Sequence, residues 1–193
     1  FVSLFITKAF YQSMGLTLLR LIISLTLSFS LSLILSYISN KKPNFKAYLF
    51  PFVTLFKTIP VVSIILLVFV LFDYQNAPYV ITFLMVFPIF YQALLTGFNE
   101  MNPDLIDIYQ LEKKDRWMGL KLVYLPLIKP YMLLSLLQSL GLGLKVLVTA
   151  EFITQISNGI GRLIYDAKIN LDYAQVFAIT LLLVLLTATL DLI

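Results

Sequence analysis

Thirteen positions from Asp104 to Arg116 hold seven ionisable residues in a chain that is 60% hydrophobic: Asp104, Asp107, Glu112, Lys113, Lys114, Asp115 and Arg116. Carboxylates and ammonium groups at that density could serve acid–base chemistry, ion binding or docking. Acid–base work at neutral pH rests most often on His, and the chain has neither His nor Cys. The same absence removes disulfides, thiolate or imidazole zinc sites and protein-ligated haem. No Gly-rich loop ending in Lys-Ser/Thr occurs, so the chain carries no phosphate cradle of its own. His-based catalysis and thiolate or imidazole metal sites are thus excluded, and docking stays open for the island.

The island has helix signals. Asn102-Pro103 supplies an N-cap followed by a proline at the first helical position. Asp104 and Asp107 then fall in the first turns, where the helix dipole favours acids. At 100° per residue Asp104, Asp107, Gln110 and Lys114 share one face, and Leu105, Ile106, Ile108 and Tyr109 gather on the other. A second periodicity runs through Trp117, Leu120 and Val123/Tyr124 before Leu125-Pro126 closes the segment. The spacing predicts two short amphipathic helices. Physically it stays evenly divided between a solvated or headgroup-bound loop and a surface that docks on another protein.

Further ionisable residues stand inside apolar runs: Arg20, Lys57, Lys145 and Glu151. Charges at membrane depth are costly and face a pathway or a partner. Lys145 follows Lys129 by sixteen residues, about 24 Å along a straight helix, and Glu151 is six further on. Two readings are open for Lys145 and Glu151. Both sit near the outer interface with Lys145 snorkelling to water, or Lys145 lines a path and attracts anionic solutes. Lys57 is expected near the cytoplasmic interface and Arg20 at the outer end of the first span. Trp117 is either an interfacial anchor or a knob in a partner's groove.

The elements that must position these residues follow from composition. A mean hydropathy of +0.94 with 12% charged residues leaves too little polar surface for an ordinary soluble domain. The fold class expected is an all-α membrane protein. Five stretches approach the ~20 apolar residues of a spanning helix: about 14–38, 49–72, 78–98, 127–152 and 173–193. No cleavable signal pattern precedes them. Lys41, Lys42 and Lys46 follow the first stretch, and Lys113, Lys114, Arg116 and Lys121 follow the third, whereas only Asp73 follows the second. By the positive-inside rule the 39–47 and 99–126 loops are cytoplasmic and Phe1 is outside. An apolar ending at Ile193 and a start at Phe1 predict missing terminal segments, including a sixth span before Phe1. The connection from Ile153 to Tyr173 is read as an outer cap or a re-entrant piece.

Asp107-Ile108-Tyr109, then Lys113, then Val123-x-Leu125-Pro126 matches the spacing E-A-A-x3-G-x9-I-x-L-P. In this it resembles the loop that marks permease subunits of binding-protein-dependent ABC importers. "FKTIPVVSIILLVFVLF", "YQALLTGFNEMNPDLID", "LVYLPLIKPY", "GLGLKVLVTAEF" and "VFAITLLLVLL" extend the likeness, in order, to the nitrate/sulfonate/taurine-type branch. The resemblance implies a type I permease-like bundle over residues 1–193, with 99–126 as a cytoplasmic coupling loop. It also implies a place in the bacterial cytoplasmic membrane, an ABC ATPase that hydrolyses ATP in a separate chain, and a second permease copy or paired permease. A binding protein or lipoprotein outside would deliver a small polar or anionic solute. Asp104, Asp107, Ile108, Tyr109, Lys113, Trp117, Leu125 and Pro126 become the ATPase-coupling residues, and no nucleic-acid partner is implied. This chain departs from the pattern at three points. Ile108 and Tyr109 replace the small pair, and Lys113 replaces the glycine that would permit a tight turn. The alternative class is a secondary transporter or channel subunit with no ATPase partner. A membrane enzyme would need an acid–base or nucleophilic constellation that the chain lacks.

Overall fold

The computed structural model describes residues 8–101 and 124–191, so the charged island from Asn102 to Val123 lies outside the described residues. Among them the chain is all helical: α1 (Lys8–Lys41), α2 (Pro43–Thr58), α3 (Val61–Leu71), α4 (Ala77–Asn99), α5 (Leu125–Thr154), α6 (Ile160–Ile169) and α7 (Tyr173–Asp191).

Helix α1 runs 34 residues because no proline interrupts it until Pro43, which opens α2. Its buried edge is made of small hydroxyls, with Thr17, Ser24, Ser28, Ser32 and Ser36 all shielded from solvent. Ser24 Oγ donates to Tyr79 O at 3.2 Å, Ser28 Oγ to Phe83 O at 3.3 Å, and Ser32 Oγ to Phe87 O at 3.2 Å. Each step of four on α1 meets a step of four on α4, so the two helices run parallel in close contact. Small side chains allow that approach, and the hydroxyls are satisfied by backbone carbonyls rather than left bare. Tyr91 Oη donating to Ser39 Oγ at 2.9 Å and Asn40 Nδ2 to Asn99 Oδ1 at 3.1 Å close the seam at the Lys41 end.

Parallel neighbours require a connection that returns. Ser24 lies about 26 Å of helix axis before Lys41, at 1.5 Å per residue, and the chain must regain that distance between Lys42 and Asn76. It does so through α2 and α3, which meet at a 107° bend. Pro60 causes the break: it has no N–H for the helix ladder, and Ile59 before it is extended (φ −65°, ψ 132°). The single second span expected over 49–72 is therefore corrected to two helices at an angle. By length and apolarity α1, α4 and α5 can each cross a membrane, and the α2–α3 pair makes a fourth candidate. The stretch expected to supply the fifth, α7, is shorter, with its apolar part over Tyr173–Thr189. The expected stretches 14–38, 78–98 and 127–152 fall within α1, α4 and α5.

Helix α5 lies against both α1 and α4. Gly143 makes room, since a Cβ there would come within 3.1 Å of Leu21 and 3.3 Å of Val86. The resulting core joins Leu21 and Leu25 of α1, Val86, Phe90 and Leu94 of α4, Leu144 and Leu147 of α5, and Ile179 of α7. A second cluster seats Ile64, Ile65 and Val68 of α3 on Ile81, Val146 and Ala150. The outer surface remains strongly apolar: Ile22, Leu67, Val70, Leu71 and Phe177 are all more than half exposed. Such a large apolar exterior suits contact with lipid tails.

Candidate functional site

At one end of the bundle three elements meet around the Glu151 carboxylate. Helix α1 supplies Thr17 and Arg20, three residues apart and thus on one face. Helix α5 supplies Glu151, whose side chain is fully buried. The turn after α5 supplies the first amides of α6. Gln155 ends α5 in the left-handed region (φ 51°), which swings the chain back towards Glu151.

The Glu151 carboxylate and the groups facing it are hydrogen-bonded, whereas the buried Arg20 Nε has no partner among the described residues. Arg20 Nη1 donates to Glu151 Oε1 at 2.8 Å and to Asn158 O at 2.7 Å. Thr17 Oγ1 donates to the carboxylate at 2.9–3.0 Å and accepts the Ile160 N–H at 2.9 Å. Gly161 N–H donates to Glu151 Oε2 at 3.0 Å. The α6 N-terminus thus points its free amides at an anion, the arrangement the helix dipole favours. Both glycines of "NGIG" are needed for the approach. A Cβ on Gly159 would lie 2.5 Å from Glu151 Oε2, and one on Gly161 would lie 2.5 Å from Phe152 N and Val148 O.

Lys145 is placed elsewhere. Six residues from Glu151 on a helix, it points about 120° away, and the two charges do not meet. The ion pairs among the described residues are Arg20–Glu151 and Arg162–Asp166. Lys145 is exposed beside a cavity of about 250 Å³ between α5 and α7, whose polar lining includes Thr149, Thr180 and Thr187. Those hydroxyls bond to carbonyls on their own helices, of Lys145, Val176 and Leu183. The ammonium is the cavity's lone charge among its lining residues.

Asp104, Asp107, Ile108, Tyr109, Lys113 and Trp117 lie outside the described residues, while Leu125 and Pro126, at the opposite end of α5 from the clasp, form its first turn. The two sides of the island are held together. Tyr37, on α1, packs edge-on to Phe98 at 5.8 Å and to Tyr124 at 6.0 Å. Lys41 Nζ lies 5.6 Å over the Tyr124 ring and donates to its hydroxyl at 3.3 Å. Tyr131 Oη donates to Glu100, and its ring fills the space a Cβ on Gly97 would take. The chain therefore leaves and re-enters the bundle at the Lys41 end.

The Arg20–Glu151 pair was the feature that sequence reasoning missed. Arg20 was expected as an interfacial anchor, and Glu151 was considered beside Lys145 on its own helix. Instead the partners are 131 positions apart. Two signals pointed to it: Thr17 and Arg20 on one face of an apolar helix, and the close-set glycines shortly after Glu151.

An all-helical bundle with an apolar exterior, a buried ionic clasp at one end and the island's two flanks joined at the other defines a membrane-embedded protein. The chain belongs to the family of binding-protein-dependent transport system inner membrane components, whose model matches residues 28–193. It is also similar to the trimethylamine N-oxide transport system permease protein TmoV of Ruegeria pomeroyi, with 26% identity over 176 residues. That match covers 91% of this chain but only 26% of the relative's length.

Proposed function

We propose that the chain is the permease subunit of an ATP-driven importer, forming a solute pathway and coupling it to a separate ATPase. The observation that carries this reading is the family match over 28–193, joined to the island's spacing. Asp107, Ile108, Tyr109, Lys113, Leu125 and Pro126 keep the intervals of a coupling loop, with Asp104 and Trp117 on the same segment. The Lys41 end, with Lys41, Lys42 and Lys46, is then the cytoplasmic side, and the Glu151 clasp lies towards the outside. The bent α2–α3 pair counts as one crossing and α7 as another, giving five in this chain, with a coupling element over 99–126.

Two permeases, identical or paired, enclose the pathway at their interface, and a binding protein or lipoprotein delivers solute from outside. The solute is small and polar or anionic, of the nitrate, sulfonate, taurine or vitamin-precursor type. The likeness to a trimethylamine N-oxide permease adds charge-separated N-oxides to that range. Lys145, unpaired beside its cavity, is the residue that faces the path. Glu151 serves it indirectly by fixing α6 across the ends of α1 and α5.

The test is co-purification of the membrane chain with an ABC ATPase, together with uptake in cells. Binding that is lost on Asp107→Arg, and uptake that needs ATP, are expected. Uptake by this chain alone without ATP would establish a secondary transporter or channel in place of the importer.

A further inference from the structure

Lys57, one of two lysines on α2, has no counter-ion among the described residues. Lys57 is exposed and stands in the last turn of α2, three residues before the Pro60 break. Its Nζ donates to Gln92 Oε1 on α4 at 2.7 Å. Neither ion pair among the described residues involves it. Gln92 lies fifteen residues along α4 from Ala77 and seven before Asn99, so it is about 10 Å of helix axis inside the Lys41 end. The ammonium reaches sideways from α2 to a half-buried amide on α4.

The donors there are unmatched. With Gln92 Oε1 already accepting from Lys57, two ammonium N–H groups and the Gln92 NH2 remain, and no acceptor meets them among the described residues. The helix break is the second observation. Pro60 has no N–H to return to Phe56, so its carbonyl loses its helical donor at the same level. Non-helical backbone and unpaired charge at membrane depth are tolerated where they line a water-filled cavity rather than lipid.

We propose that Lys57 and Gln92, set at the α2–α3 break, form an anion-selective subsite of the solute pathway that takes a carboxylate, sulfonate or N-oxide oxygen. This rests on the permease reading above. An array with donors and no acceptor rejects cations and favours an oxygen bearing negative charge.

The chain's lack of cysteine makes single introduced thiols specific reporters. Gln92→Cys and Lys145→Cys would be made in the full chain, in membrane vesicles. Each would be treated with sulfonatoethyl methanethiosulfonate, which is anionic, and trimethylammonioethyl methanethiosulfonate, which is cationic. Rates are normalised to a free thiol in solution. The Gln92→Cys thiol is expected to prefer the anionic reagent, and adding Lys57→Met is expected to reduce that preference at least about tenfold, the scale of one charge a few ångströms away even near the dielectric of water, acting oppositely on the two reagents. A preference unchanged by Lys57→Met overturns the subsite. So does a Gln92→Cys thiol inert to both reagents while the Lys145→Cys thiol reacts, since the permease reading would then survive without it. If both thiols are inert, the pathway reading falls with the subsite.

Discussion

Arg20 and Glu151 meet at 2.8 Å, with Glu151 fully enclosed and the arginine side chain 12% exposed. Thr17, Gly161 and Ile160 complete the group. The carboxylate accepts from an arginine, a hydroxyl and an amide, so its burial is compensated only while all three stay in place.

Removing one charge should therefore cost more than removing both. Glu151→Gln or Arg20→Met each leaves an uncompensated buried group, with a loss of about 3–5 kcal/mol. The Arg20→Met/Glu151→Leu double variant should lose much less than the sum of the single changes. Thermal unfolding in detergent measures all of these, and strictly additive losses would show that the two residues do not act as a pair.

A methyl group at position 161 has nowhere to go. Gly161→Ala should destabilise by about 1–3 kcal/mol through overpacking, because its contacts are backbone atoms that cannot rotate away. Gly15→Ala is the control: nothing lies within 4 Å of its added carbon. There the better helix propensity of alanine should give a gain of up to about 1 kcal/mol. The pair of melting temperatures should move in opposite directions.

The α1–α4 seam should tolerate loss of a hydroxyl but not gain of bulk. Ser28→Ala removes one hydrogen bond to Phe83 O at about 0.6 kcal/mol, the average for hydroxyl bonds between membrane helices. Ser28→Leu forces parallel backbones apart and should cost about 1–3 kcal/mol. Equal effects of the two changes would mean that the helices are not in close contact there.

Lys145 is predicted to act through charge. Lys145→Met should lower uptake at least tenfold with expression held, and Lys145→Arg should restore most of it. Uptake unaffected by Lys145→Met would remove the residue from the pathway.

Much of the bundle was legible in the chain because spanning length and apolarity are local properties. The stretches 14–38, 78–98 and 127–152 sit inside α1, α4 and α5 for that reason. The α2–α3 bend was not legible from hydropathy, which measures how apolar a segment is and carries nothing about its direction. The sequence did hold a marker in Thr58-Ile59-Pro60. The parallel seam was written in Ser24, Ser28, Ser32 and Ser36, yet its partner carbonyls have no residue type to announce them. The Glu151 clasp escaped because the expectation looked along one helix, whereas its cation lies on α1.

The separation of 131 positions between Arg20 and Glu151 is also an interval of time. At about 5–20 residues per second of synthesis, roughly 7–26 s pass between the arginine leaving the ribosome and its carboxylate following. For that interval α1 holds a guanidinium without its Glu151 partner, and its serines have no α4 carbonyls to accept their hydrogen bonds until that helix has been made. The nascent bundle is thus kept provisional by its own chemistry. It locks only once Glu151 and the first amides of α6 have followed, and a chain broken off before Glu151 is left with an arginine that a quality-control protease can find.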